Sequence, residues 1–467
     1  MRLRLCRILL GPALLGSLLL ASPAALAQAR ATGPAHAGRQ AASPLTLMAT
    51  SAPSARVRDY TFATAALAAP TSVRVLLPDG YDPSGRTRYP VLYLLHGGAG
   101  HYADWTTSGA AAALTAGLPL LVVMPDAGRS AWYTDWFRPG TSGQPKWETY
   151  HVDQLVPWVD AHLPTEGRRS GRAIIGLSSG GFGAMSYAAR HQDLFVAAAA
   201  FSGALDTNTP SVASGVVIGG LAAQDGGTPD SFWGLRATDE VRWRGHNPWD
   251  VAENLRHTAL TVRMGNGMAG GDFGGGGPTD PGGTALEVAT HAESVSFHDR
   301  LVALGLPHVY EDYGPGTHSW PYWQRDLRKT LPWLMAVLSQ HRPDPTSFST
   351  TAIEPLFGAY GWTVNVTRPA LEFSSLTVDG PGRFTVAGSG TADVTTAAVY
   401  PRSRTVKVTV HDATGTHRSR VRTDSSGRLH VSVDLGAGNL VQQEYAETGT
   451  SPATVVRNAT VTVRPAR

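Results

Sequence analysis

The sequence predicts an α/β protein: a doubly wound, mainly parallel sheet over residues 56–340, followed by a C-terminal all-β sandwich over 353–467. Three observations carry this. In the first region short apolar runs bounded by Gly or Pro alternate with helix-length segments, as expected for parallel strands covered by helices. The run His341-Arg342-Pro343-Asp344-Pro345 resists helix and opens an expected linker over 341–352. Beyond it apolar residues recur with period two, as in Arg404-Thr405-Val406-Lys407-Val408-Thr409-Val410, Leu429 to Val433 and Ala459 to Val463, between Gly, Asp and Ser turns.

Composition agrees with a folded chain. Of 467 residues 42% are apolar and 16% charged, against a usual charged share of roughly a quarter, so a charge-rich disordered protein is excluded. Gly and Pro together reach about 18%, below the roughly 25–30% of low-complexity disorder.

The elements follow in order. Arg2, Arg4 and Arg7 precede the apolar run Ile8 to Leu20, and Ala25-Leu26-Ala27 offers a small-residue cleavage site, so residues 1–27 read as a secretory signal peptide. Gly11, Pro12 and Gly16 interrupt the run, which is short of the ~20 residues of a membrane span. No transmembrane segment is expected, and the protein should be secreted, extracellular or cell-wall associated. Those three arginines carry the whole formal net charge of +3, so the mature chain is neutral and no nucleic-acid partner is expected. The sole cysteine, Cys6, leaves with the signal, removing disulfides and a thiol nucleophile. Residues 28–55, rich in Ala, Ser, Pro, Thr and Gly without periodicity, read as a flexible leader. Strands are expected at Val73 to Leu77, Val91 to Leu95, Leu120 to Met124, Arg172 to Ile175, Ala197 to Phe201, Leu260 to Met264 and Val309 to Tyr313, and a helix at Tyr322 to Gln340.

Gly176-Leu177-Ser178-Ser179-Gly180 follows the apolar run Ala173-Ile174-Ile175 and precedes a small-residue helix start. A sharp strand-to-helix turn needs glycine on both sides of a nucleophile and lifts Ser178 Oγ above the sheet edge. A serine at its free pKa is a poor nucleophile and needs a base oriented by a third group. His318, in Gly316-Thr317-His318-Ser319-Trp320 between the last expected strand and helix, is the candidate base. A developing oxyanion needs preorganised N–H donors, for which Gly98, in His96-Gly97-Gly98-Ala99-Gly100, and Ser179 are the candidates. The glycine loop carries neither a GxGxxG nor a phosphate-loop lysine, and no cofactor is expected. After the strand ending at Met264, loop position makes Asp272 the simple choice of acid, without settling it. His291 and His298 lie seven apart, with Glu287 and Glu293 nearby, too far to share an ion without other ligands, and no metal is expected.

Tyr93-Leu94-Leu95-His96-Gly97, Met124-Pro125-Asp126-Ala127-Gly128, Trp132-Tyr133-Thr134-Asp135-Trp136, Lys146-Trp147-Glu148-Thr149-Tyr150, Gly176-Leu177-Ser178 and Gly316-Thr317-His318-Ser319-Trp320-Pro321-Tyr322-Trp323 resemble the putative-esterase branch of α/β-hydrolases. The subgroup most resembled is the antigen 85 complex mycolyltransferases, over roughly residues 57–340 and not beyond. The resemblance implies an α/β-hydrolase fold and an acid on the helix beyond the glycine loop, where Glu287 stands; Asp272 is then the alternative, and Glu293 a solvated helix residue. It also implies that Trp320 and Trp323 line a substrate site. Where those transferases carry an Asp and then an Arg toward a sugar acceptor, this chain has His96, then Ala99 and Gly100, and their paired cysteines are missing. The expected activity is that of a serine carboxylic-ester hydrolase or acyltransferase with a Ser178-Glu287-His318 triad, acting on an acyl ester with hydrolysis favoured. Mycolyltransferase-like transfer to a sugar alcohol or cell-wall acceptor is the alternative, and a non-catalytic cell-wall or carbohydrate-binding protein on the same fold is the competing class. The sandwich has no assigned role.

Overall fold

In the computed structural model the described residues are 44–209, 212–443, 445–446, 449–450 and 454–466. The expected signal peptide and residues 28–43 of the expected leader lie outside them.

Nine strands form the first sheet: β1 (Thr46–Ser51), β2 (Val57–Ala63), β3 (Thr71–Leu76), β4 (Val91–Leu95), β5 (Leu121–Pro125), β6 (Arg172–Leu177), β7 (Ala197–Phe201), β8 (Ala259–Met264) and β9 (His308–Asp312), in the spatial order β1-β2-β3-β5-β4-β6-β7-β8-β9. β1, β2, β3 and β5 pair antiparallel, and every pair from β5 through β4 to β9 is parallel. The helices are α1 (Asp104–Thr107), α2 (Ala111–Leu114), α3 (Val156–His162), α4 (Ser179–Arg190), α5 (Val212–Gln224), α6 (Arg236–His246), α7 (Pro281–Ala303) and α8 (Trp320–Leu338). Successive side chains of a strand point to opposite faces. Tyr93 and Leu95 of β4 thus join one apolar cluster with Phe182 and Met185 of α4 and Phe297 of α7, while Leu92 and Leu94 join another with Trp105 of α1 and Leu327, Leu331 and Leu334 of α8. Covered on both faces, the central strands β4 to β7 are buried along their whole length. β5 lies on one side of β4 and β6 on the other. The chain therefore reverses its winding at β4, and the crevice at the carboxyl ends of β4 and β6 is where such sheets place ligands.

The remaining strands are β10 (Ser347–Ala352), β11 (Leu356–Phe357), β12 (Thr363–Thr367), β13 (Ser374–Asp379), β14 (Arg383–Gly388), β15 (Thr391–Thr395), β16 (Thr405–Asp412), β17 (Gly415–Arg422), β18 (His430–Asp434), β19 (Tyr445–Ala446), β20 (Gly449–Thr450) and β21 (Arg457–Pro465). They form a six-stranded sheet (β10-β13-β14-β21-β16-β17), a four-stranded sheet (β11-β12-β15-β18) and the pair β19-β20, all antiparallel. Val364, Val366, Val394 and Val433 from the smaller sheet and Leu376, Phe384, Val408 and Val461 from the larger share one buried cluster, which makes this region a sandwich.

Two expectations are corrected. Thr46–Ser51, placed in the leader, is a strand paired with β2. Its side chains are all exposed, so no apolar alternation announced it. Ser347–Ala352, placed in the linker, is the strand β10, and it is bolted to the first region: Gln192 donates to Ser349 O at 3.1 Å, Asn254 donates to Thr351 O and accepts from its N–H, both at 2.9 Å, and Arg190 at the end of α4 reaches Glu354 at 2.7 Å. Among the described residues no helix is long and apolar enough to cross a membrane.

Candidate active site

Ser178 stands between β6 and α4 at φ 55°, ψ −126°, in backbone space that a non-glycine residue rarely occupies. The sequence tolerates the turn because of two glycines. A Cβ on Gly176 would overlap Gly180 O, and one on Gly180 would overlap His96 O. Ser178 N–H donates to Phe201 O at 2.9 Å, tying the turn to the end of β7.

His318 lies on the loop between β9 and α8, and its Nδ1 sits 2.7 Å from Glu287 Oε2 on α7. Glu287 is fully buried, and its other oxygen, Oε1, accepts from Ser202 Oγ at 2.8 Å and from Gly265 N–H at 2.7 Å. With Oε2 occupied by Nδ1, the imidazole plane is fixed. His318 Nε2 is buried and has no hydrogen-bond partner among the described residues. Trp323 packs its ring at right angles to the imidazole, centroids 5.0 Å apart, and its indole N–H donates to Ser202 Oγ at 3.3 Å. Ser202 follows β7 directly at φ 46°. The sequence reading missed it; the signal was Ser202-Gly203 immediately after a fully buried strand.

The loop after β4 is ordered from below by His96. A carbonyl only accepts, so the 2.8 Å approach of His96 Nδ1 to Gly97 O places a proton on Nδ1. The Nε2 atom then accepts from Ala127 N–H at 3.1 Å, and Tyr133 OH holds His96 O at 2.8 Å. The peptide is trans, so Gly97 C=O and Gly98 N–H point in opposite directions. Ala99 N–H is taken by Arg129 O at 2.7 Å and Gly100 N–H by Gly97 O at 3.2 Å, whereas Gly98 N–H makes no backbone hydrogen bond among the described residues. Ser179 opens α4, where the first N–H groups lack intrahelical partners. Leu221 of α5 packs over Gly98 and was also unforeseen.

The other expected residues are placed as follows. Asp272 is exposed on the glycine-rich loop and makes no hydrogen bond with His318 among the described residues. Glu293 is buried, which corrects its reading as a solvated helix residue: it lies on the inner face of α7 with Glu287 and Ser294. Trp323 is buried against His318 and Ser202, while Trp320 is half-buried between Trp105 and Trp323. His291 pairs with Asp312 at 2.8 Å, and His298 stacks on Tyr310 and meets His308 at 2.7 Å. Among the described residues no three metal-ligating side chains converge. Near the triad, burial pushes the carboxyl of Asp326 up to about 7 against the pull of Arg325 and Arg263.

The Esterase family, described as Putative esterase, matches residues 64–334. Esterase Rv1288 of Mycobacterium tuberculosis (strain H37Rv) is 35% identical over 271 residues, 56% of this chain and 55% of that protein. Diacylglycerol acyltransferase/mycolyltransferase Ag85A of the same strain is 32% identical over 271 residues, 55% of this chain and 75% of that protein. Among solved structures, Mycobacterium tuberculosis MPT51 (FbpC1) aligns with a TM-score of 0.48 and 23% identity over 64% of this chain and all of that one. The chain spans about half the length of the esterase relatives it matches. By the extent of the family match and by its identity to Ag85A, the chain belongs to the Putative esterase family of α/β-hydrolases.

Proposed function

We propose that this chain is a secreted serine esterase or acyltransferase that acts on carboxylic esters through an acyl-enzyme, with water as the favoured acceptor. The observation that carries the reading is the 2.7 Å pairing of His318 Nδ1 with buried Glu287, which leaves Nε2 as the ring's one unengaged nitrogen. Ser178 Oγ attacks the ester carbonyl carbon and passes its proton to His318 Nε2. The carbonyl π pair moves onto oxygen, where Gly98 N–H and Ser179 N–H receive it. Collapse of the intermediate breaks the ester C–O bond, and the leaving alcohol takes the proton from Nε2. A water then gives a proton to the same nitrogen and attacks the acyl carbon, and Ser178 departs with that proton.

His96 acts in this scheme as a positioning residue, since its grip on Gly97 O turns the shared peptide so that Gly98 N–H faces away from it. An alcohol in place of water gives acyl transfer, the activity in the name of the Ag85A relative. Hydrolysis is favoured because His96, Ala99 and Gly100 supply none of the charge-assisted contacts that would hold a polyol against bulk water. Export rests on the Arg2-Arg4-Arg7 and apolar pattern of the first 27 residues.

The reading is tested by labelling with a fluorophosphonate probe and by hydrolysis of a short p-nitrophenyl ester in EDTA. Labelling should map to Ser178 and turnover should survive the chelator. Undiminished labelling of Ser178→Ala would refute the assignment.

A further inference from the structure

The six-stranded sheet turns one face to the sandwich core and the other to solvent, and its register sorts cations onto the solvent face. On β16 the inward residues Val406, Val408 and Val410 are buried, which leaves Thr405, Lys407, Thr409 and His411 on the outer face. Cross-strand partners share a face. Lys407 stands opposite Arg420 of β17 on one side and Arg464 of β21 on the other. Arg418 and Arg422 flank Arg420 two residues away along the strand, on the same face. Arg383 of β14 faces Thr462, whose other neighbour is Thr409. The result is a grid of positions bearing guanidinium and ammonium side chains, whose backbones are about 5 Å apart across strands and about 7 Å apart along them.

Among the described residues Lys407, Arg418, Arg420, Arg422 and Arg464 form no ion pair, and only Arg383 has a carboxylate, Asp379, at 3.5 Å. Protection of a sheet edge is the plain explanation for charges on β17, which ends the sheet. It does not extend to Lys407 and Arg464, which sit one and two strands further in. Like charges directly opposite one another destabilise a strand pair, so the Arg420-Lys407-Arg464 row works against the free fold. An anion laid across it reverses the sign.

We propose that this face binds a linear anionic glycan, its carboxylate or sulfate groups seated on the row Arg420-Lys407-Arg464 and on the flanking arginines. The interspersed Thr405, Thr409, Thr416, Thr460 and Thr462 supply hydroxyls for sugar hydroxyls. On β16, β17 and β21 no Trp, Tyr, Phe or large aliphatic side chain projects from this face, and His411 is its one ring. It therefore has nothing to insert into a bilayer and no row of rings on which to stack successive unpaired bases. β10, the strand tied to Gln192 and Asn254, is the opposite edge of the same sheet, so a bound polymer leaves the Ser178 site open.

The test uses the full chain with polygalacturonate and heparin as probes, at low and at high salt, beside double-stranded DNA, single-stranded DNA and phosphatidylglycerol vesicles. Binding to at least one glycan that weakens with salt, and that weakens by about tenfold or more in K407Q/R420Q/R464Q, is expected. In that variant Tm should hold or rise, because repulsion is relieved, and p-nitrophenyl ester turnover should match the parent. Should the triple variant fail to fold, R418Q/R422Q on the edge strand serves, with the same weakening expected. No binding by the parent to either glycan, undiminished binding by the folded variants, or tighter binding to DNA or vesicles than to both glycans would overturn the proposal.

Discussion

Replacing Glu287 by Gln isolates the charge and the geometry of the triad acid in one change. The side chain keeps its size, and two donors decide how the amide sits. Ser202 Oγ–H and Gly265 N–H both point at the Oε1 position, 2.8 and 2.7 Å away. The amide oxygen must occupy that position, since turning the NH2 toward two donors would leave buried groups unpaired at a cost of about 1–3 kcal/mol each. The NH2 then faces His318 Nδ1, which must accept, so the ring proton moves to Nε2. In that tautomer Nε2 carries a hydrogen and cannot take the proton of Ser178. The expected loss in kcat is about 10³–10⁴-fold, or roughly 4–5.5 kcal/mol of barrier. Asp272→Asn, at an exposed position that makes no hydrogen bond with His318 among the described residues, should change kcat by less than about twofold. Steady-state hydrolysis of a p-nitrophenyl ester, with the rate of fluorophosphonate labelling as a second readout, measures both variants. A Glu287→Gln enzyme within tenfold of the parent, or a larger loss in Asp272→Asn, would refute the assignment of the acid.

Ser202→Ala removes one of the two donors to Oε1 and the acceptor of the Trp323 indole; kcat should fall by about 10–100-fold with KM little changed, and an unaltered kcat would show that Gly265 N–H alone fixes the carboxylate. Acid should destabilise the fold. Burial pulls His151 and His246 down to about 4 from 6.5, so each contributes stability that is complete above 6.5 and lost as pH falls toward 4, up to about 3 kcal/mol apiece. Asp326, raised from 3.8 to about 7, works in the opposite sense, its contribution being complete below 3.8 and lost as pH rises through about 7. The balance of these three groups is a loss of about 2 kcal/mol between pH 7 and pH 4, read from urea unfolding at each pH; a gain on acidification would contradict it. Incubation with an acyl donor and excess trehalose should give mainly free acid by mass spectrometry, and dominant acyl-trehalose at millimolar acceptor would make the chain a transferase.

The parallel centre of the sheet was legible because burial on both faces leaves a continuous apolar run. Val91–Leu95 and Ala197–Phe201 coincide with β4 and β7 to the residue. β1, β10 and β17, which the sequence reading did not name, carry no such mark. β17 is exposed along nearly its whole length, and β1 entirely so; both exist through pairing to a neighbour, a property of the partner's sequence as much as their own. β10 alternates Phe348 and Thr350 inward between Ser and Thr, a period-two pattern with only one large apolar member. The prolines at 343 and 345 correctly marked the end of helix, but a broken helix is not yet a linker, and the chain enters a strand at Ser347.

At the site, residues whose chemistry is carried by their own type were visible, and those whose role depends on a partner's position were not. Gly176 and Gly180 announce a tight turn because no other residue fits there. Ser202 is one serine among many until β7 and α7 bring its hydroxyl to Glu287. The acid itself sits between these cases. Loop position pointed to Asp272, a resemblance to known proteins pointed to Glu287, and periodicity could not decide, since α7 also turns Glu293 inward. The helix phase shows why both carboxylates can be buried: 287 and 293 are six residues apart, about 600° at 100° per residue, which leaves them roughly 120° apart on one inward sector. Only the tertiary arrangement of β7, β8, β9 and α7 separates them, placing Ser202 Oγ, Gly265 N–H and His318 Nδ1 around 287.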